Sequence, residues 1–158
     1  MQFSRASLKF DREEALVVGT VTEVSSSIAR DLNRLFPQLS SSFVPLGVAE
    51  YQSVVDQSSV TLFVYYEDDD RKRIDGALTL VMFTIPTGVR AWIEDVVVDE
   101  SARGRGAGEA LTRAAVEFAQ QGGARSIDLT SRPSRVAANR LYQRIGFSLR
   151  ATNVYRFE

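Results

Sequence analysis

No cysteine and no histidine occur among the 158 residues, and these two absences remove most of the usual routes to catalysis. Without cysteine there are no disulfides, thiolate metal sites or sulfur nucleophiles, and neither redox compartment is favoured. Without histidine there is no Ser-His-Asp arrangement, no imidazole base and no His-ligated zinc, so no metal cofactor is expected. Asp, Glu, Tyr, Lys, Ser and backbone groups remain to carry any chemistry. A dominant charge is lacking too. The 19 Lys and Arg residues against 20 Asp and Glu give a net charge of -1, so neither nucleic acid nor a membrane surface is expected as a partner, and any anion site must be local. No apolar run approaches the roughly 20 residues needed to span a bilayer. The stretch Met1 to Glu14, with Arg5, Lys9, Asp11, Arg12 and Glu13, lacks the apolar run of a signal peptide. A cytoplasmic protein is the expectation.

The 44% hydrophobic and 25% charged content suits a single domain over residues 1–158, able to bury roughly 70% of its unfolded surface. Apolar residues at Val24, Ile28, Leu32, Leu35 and Phe36 recur at spacings of three and four, which marks an amphipathic helix. A weaker helix is expected over Leu46 to Val55. Thr61 to Tyr66, Ile74 to Ile85 and Ala91 to Val98 read as three consecutive antiparallel strands, with the charged hexad Glu67 to Lys72 and Pro86-Thr87-Gly88 as turns. From Glu109 the stripe Leu111, Ala115, Phe118 predicts a helix stopped by Gly122-Gly123. Ser126 to Thr130 follows as a strand, and Pro133-Ser134 opens a helix through an N-cap serine and ends at Gly146. Phe147-Ser148-Leu149 and Val154 to Phe157 are expected as a closing pair of strands. This order predicts an α/β fold of the α+β type, a mixed and largely antiparallel sheet flanked by helices.

Between the strand ending at Val98 and the helix near Gly108 lies Asp99-Glu100-Ser101-Ala102-Arg103-Gly104-Arg105-Gly106-Ala107-Gly108. Alternating glycines let backbone N–H groups approach an anion, and the helix N-terminus adds its unpaired amides and positive dipole end. Arg103 and Arg105 can contribute charge-assisted hydrogen bonds, and a pyrophosphate is the natural guest. A triphosphatase loop would end in Lys and Ser or Thr, whereas Gly108 is followed by Glu109 and Ala110. A dinucleotide fold would place its first glycine directly after the strand and use Gly-x-Gly-x-x-Gly; here Gly104 comes five residues late and the pattern is Gly-x-Gly-x-Gly.

Arg103-Gly104-Arg105-Gly106-Ala107-Gly108 after Val96-Val97-Val98 resembles the acyl-CoA signature of the GCN5-related N-acetyltransferase superfamily: Arg or Gln, two residues, Gly, one residue, Gly or Ala. Ala138-Asn139-Arg140-Leu141-Tyr142 with Ile145-Gly146-Phe147 is similar to that family's second motif. The resemblance implies acetyl-CoA as cosubstrate, its pyrophosphate on Arg103 to Gly108. It also implies a bulged strand that splays from the next parallel strand, with the pantetheine arm paired to the backbone of Val96, Val97 and Val98 and a freed amide polarising the thioester carbonyl.

On the helix at Arg135 to Ile145, Arg135, Asn139 and Tyr142 fall on one arc, while Ala138, Leu141 and Ile145 form the packing face. By the resemblance Tyr142 protonates the leaving thiolate, and Asn139 binds the pantetheine or orients the tyrosine. Glu94 is the candidate base or ammonium-binding carboxylate, on the strand face of Val96, with Asp95 on the opposite face. Arg132 and Arg135 read as surface cations. The implied reaction is direct acetyl transfer to a primary amine of a small molecule or peptide, in a chain able to act as a homodimer. The alternative is a member of the fold that binds acyl-CoA without catalysis.

Overall fold

In the computed structural model, residues 18–66 and 71–157 are described. The expectations for Met1 to Glu14 and for residues 67–70 of the charged hexad lie outside them. Among the described residues five strands form one sheet in sequence order. β1 (Val18–Val21), β2 (Val60–Tyr66), β3 (Ile74–Ile85) and β4 (Gly88–Val98) run antiparallel to their neighbours, and β5 (Ser126–Leu129) joins β4 in parallel. The mixed, largely antiparallel sheet expected from the sequence is therefore present. The helices are α1 (Ser26–Leu35), α2 (Val48–Val55), α3 (Ala107–Gln121) and α4 (Val136–Ile145). α3 supplies the crossover that a parallel β4–β5 pair requires.

Alternation along the strands divides the apolar side chains between two cores. On one face Phe63, Leu78, Leu80 and Ile93 pack with Leu111 and Ala115 of α3. On the other, Leu62, Val64, Ala77 and Val97 pack with Leu32 and Leu35 of α1 and with Tyr51 and Val55 of α2. α1 starts where the Ser25 hydroxyl accepts from the Ile28 amide at 3.2 Å, satisfying one of the orphan donors of the first turn.

The alternation of β4 breaks once. Thr79 pairs with Glu94 and Ala77 with Val97, so Asp95 and Val96 together stand opposite Leu78. Asp95 takes a φ of +52°, the left-handed conformation that Asp tolerates better than most residues. The resulting bulge overturns the expectation that Glu94 and Val96 share a face. Val96 and Val98 pack toward the α3 core, Val97 toward α1 and α2, and Glu94 lies with Thr79 on the α1 and α2 side.

Two further expectations are corrected. The last helix is capped at Arg135, not Ser134: Pro133-Ser134 form a turn, and the Arg135 side chain makes no capping bond. Residues 147–157 form no strands. Phe147 is drawn into the end of α4, where its amide donates to the Tyr142 carbonyl at 3.0 Å beside the left-handed Gly146. Leu149 and Tyr155 beyond it are 92% and 87% exposed. Their β-favouring side chains find no sheet surface to pack on, and that packing is what such propensities express.

A partly buried charge cluster ties α1 to the end of β4. The Arg34 guanidinium donates to Asp99 and, at 2.6 Å, to the Ile74 carbonyl; Arg73 Nε lies 2.8 Å from Asp75 Oδ1 and Arg73 Nη2 lies 3.3 Å from Asp99 Oδ2. Asp75 and Asp99 are buried. We expect Arg34→Ala to cost about 1–3 kcal/mol in urea unfolding, since it strips a donor from buried acceptors while Arg73 remains. An unchanged midpoint would show that Arg73 alone compensates both carboxylates.

Candidate active site

The β4–β5 ladder runs from Arg90–Ser126 to Ile93–Leu129 and stops. Beyond it β4 continues through Glu94 to Val98, and among the described residues no strand pairs with that edge. Pairing thus ends at the level where the resemblance expects the two strands to splay, and it leaves the backbone of β4 beyond Ile93 without a strand partner on that side. A cavity of about 130 Å³ at the mouth of the gap is lined by Ile93, Glu94, Asp95 and Val96 from β4, Leu129 and Thr130 from β5, Arg135 and Tyr142 from the α4 side, and Leu39 from the turn after α1.

The cavity therefore brings together Glu94, Val96 and Tyr142 of the residues singled out in the sequence. Asp95, assigned there to the far side, joins them because the bulge rotates it. A carboxylate next to a carboxylate was visible in the sequence; its left-handed φ was not. Tyr142 is the buried residue of α4, 7% exposed, and not part of a residual polar face as its helical arc suggested. It packs edge-on against Phe147, centroids 6.0 Å apart, and among the described residues no side chain or backbone group bonds its hydroxyl. Burial pushes the phenol pKa above its ordinary value, partly opposed by the Arg135 charge. Glu94 Oε1 accepts from Trp92 Nε1 at 2.7 Å, a partner that strand alternation alone could have supplied, since residues two apart share a face.

Below the cavity, Val98 leads into a single 3-10 turn, Glu100–Ala102, capped by Asp99 through Ser101 N at 2.9 Å and Ser101 Oγ at 2.6 Å. The glycine loop follows. Gly104 and Gly106 have φ of +80° and +87°, and a Cβ at either would meet nothing within 4 Å. Their backbone is open to an approaching ligand, and the left-handed conformation is the reason for glycine. Gly106 is the N-cap of α3 and offers no side-chain cap, so the first amides of the helix are left for another acceptor. Gly108 lies inside the first turn, where Leu141 of α4 and Val98 come close. Arg103 Nε donates to the Val98 carbonyl at 3.3 Å. This set of residues fits the diphosphate of a CoA-type ligand: glycine amides with open space beside them, an uncapped helix N-terminus, and Arg103 and Arg105 in the same loop. Asn139 stands apart, its Nδ2 donating to the Arg132 carbonyl at 3.0 Å and closing the turn into α4.

Although Asp95 keeps solvent contact, desolvation and then the neighbouring Glu94 charge hold its carboxyl above the usual carboxylate range. A folded-state pKa above the unfolded one makes the ionised form a cost to the fold, present at neutral pH and relieved as pH falls. Asp95→Asn, which keeps a residue tolerant of positive φ, should raise the urea midpoint at pH 7, with the gain shrinking toward about pH 4. A gain that grew on acidification would contradict this.

Residues 27–147 match the acetyltransferase (GNAT) family model. The chain is 29% identical over 119 residues to YhdJ, an uncharacterized N-acetyltransferase of Bacillus subtilis (strain 168), covering 72% of this chain and 82% of that one. Among solved structures, a putative acetyltransferase from Agrobacterium tumefaciens str. C58 superposes with a TM-score of 0.77 at 24% identity, over 89% of this chain and 99% of that one. An aminoglycoside acetyltransferase from an uncultured soil metagenomic sample also gives 0.77, at 19% identity over 89% and 93%. At these identities the solved structures speak for the fold.

Proposed function

Because the chain belongs to the acetyltransferase (GNAT) family, we propose that it transfers the acetyl group of acetyl-CoA directly to a primary amine of a small molecule or peptide. The observation that carries this reading is the gap between β4 and β5, with an anion cradle at one end and Glu94 and Tyr142 at the other. Acetyl-CoA supplies the activated acyl group. The amides from Gly104 to Gly108 hold its pyrophosphate, with Arg103, Arg105 and Ala107 completing the loop. Val96, Val97 and Val98 bind the pantetheine arm through their backbone along the free edge of β4, as an added strand would be bound, and a freed amide there polarises the thioester carbonyl. Asn139, which the resemblance gives to the arm, acts instead by holding the turn into α4 through the Arg132 carbonyl.

Glu94 accepts the proton that the amine loses as its nitrogen bonds the acyl carbon, and Tyr142 gives its phenolic proton to the sulfur as the carbon–sulfur bond breaks. With no cysteine, transfer is direct. A phenol whose pKa is raised by burial is still protonated at neutral pH, the state a proton donor needs.

A thiol-release assay over an amine panel tests this. On a turned-over amine, Tyr142→Phe should lower kcat by about 10²–10⁴-fold with KM for acetyl-CoA little changed. Full turnover by this variant would remove Tyr142 as the acid. Glu94→Gln should lower kcat most at low pH, where the amine arrives protonated. The loss of kcat at alkaline pH should begin above the range of an ordinary phenol, and Arg135→Ala should move it higher by removing the charge that lowers the phenol pKa. Gly106→Ala should raise KM for acetyl-CoA, because a side chain at that φ is strained. Binding of acetyl-CoA without turnover of any amine would leave a CoA-binding module in place of an enzyme.

A further inference from the structure

Gly104 and Gly106 lend the glycine loop its open backbone, and the same freedom means that they do not fix where that backbone sits. Its place is set from the two ends. On the far side α3 is anchored by packing, with Ala107 and Leu111 both buried. On the near side stands the short turn Glu100–Ala102, whose Ala102 is fully buried, and the carboxylate of Asp99 that caps it. Asp99 divides its two oxygens between two parts of the molecule. Oδ1 accepts from the amide and hydroxyl of Ser101 within the turn. Oδ2 receives Arg34 of α1, Arg73 just ahead of β3 and, at 3.4 Å, Gln38 Nε2 from the turn after α1. Gln38 also accepts from the Glu100 amide, and the Asp99 amide donates to the Asp75 carbonyl at 2.8 Å. The Asp75 carboxylate, the other acid of this cluster, faces Arg73 and Arg34. One buried carboxylate, that of Asp99, is therefore shared by α1, the approach to β3 and the base of the loop.

Building on the reading of the glycine loop as the diphosphate site, we propose that Asp99 is a positioning residue for acetyl-CoA: it presets the loop so that the diphosphate meets amides already in place. An anion held by backbone N–H groups depends on directional bonds, and these weaken steeply as the amides drift. A loop ordered beforehand also relieves the complex of the entropy of ordering it on binding. The bonds through which Asp99 acts are charge-assisted and directional themselves. Asp99 is not among the residues lining the cavity that holds Glu94 and Tyr142. Its influence therefore falls on cosubstrate binding and not on proton transfer.

Isothermal titration of the full chain with CoA reads this without any turnover. Asp99→Asn keeps the size of the side chain and an oxygen for Ser101, but its amide end accepts nothing from Arg34, and CoA should bind about tenfold more weakly. Leu32→Val, in the core of the same helix α1, controls for a merely loosened fold: it should lower the urea midpoint and leave CoA affinity within about twofold. On a turned-over amine, Asp99→Asn should raise KM for acetyl-CoA about tenfold with kcat at saturation little changed. KM for S-acetylpantetheine, which lacks the diphosphate, should stay where it was. Circular dichroism checks that the variant is folded. Should it fail to fold, Ser101→Ala, which removes the 2.6 Å bond to Asp99, carries the test with about a threefold loss of CoA affinity. Unchanged CoA affinity in the folded variant, an equal loss in Leu32→Val, or an equal rise in KM for S-acetylpantetheine would overturn the assignment. CoA binding by the wild-type chain without turnover of any amine would sink acetyl transfer and leave Asp99 in its role. No binding of CoA by the wild-type chain would overturn both.

Discussion

The parting of β4 from β5 after Ile93 and Leu129 is the constraint on which the candidate site depends. A sheet interior satisfies its backbone groups by pairing, and a strand left unpaired inside a fold must find another partner or face a cavity. Here five residues of β4 run on paired to β3 along one edge only, and the crossover through α3 begins only after the glycine loop, so gap and loop are consecutive pieces of one chain. The bulge at Asp95 sits at the point of parting. It turns Val96 and Val98 to the α3 core and Val97 to the α1 and α2 core, and places both carboxylates at the mouth of the gap.

The position of the gap is held from both sides. α4 lies against α3 through Leu141 near Gly108 and the Arg144 bridge to Glu109 at 2.9 Å, which sets Tyr142 over the opening. From the other side, Arg34 and Gln38 grip the turn before the loop: Arg34 reaches Asp99, and Gln38 Oε1 accepts from the Glu100 amide at 3.1 Å. α1 and the turn after it are thus bonded to the base of the glycine loop. Hydrogen bonding, which falls off steeply with distance and misalignment, suits this registration better than apolar contact, which is indifferent to direction.

Much of the fold was legible because period carries it. The spacing of Val24 to Leu35 and the pattern of Ile74 to Ile85 mark elements within a residue or two of those seen, and the Arg103 to Gly108 motif falls on the open loop before α3. What period could not reveal is where it fails. Glu94-Asp95-Val96 contains no glycine to signal a bulge, and the left-handed φ of Asp95 answers to the surrounding sheet. Tyr142 lies near the boundary of two arcs on its helix, and only the packing of Phe147 and the parted strands decides that it is buried. Val154 to Phe157 has the composition of a strand, yet composition cannot say whether a surface waits for it. Arg34 and Asp99 are 65 residues apart, and no local pattern couples them.

The bulge also bears on how this strand can diverge. Asp95 is the extra residue that sets the phase of everything after it, so exchanging one side chain for another along β4 alters a contact, while adding or deleting a single residue there inverts the facing of Val96, Val97 and Val98 at once. Descendants of this chain are free to rewrite the chemistry of the strand by substitution. Its length is not free to drift, and a change of one residue would have to be matched on the spot by the loss or creation of another bulge.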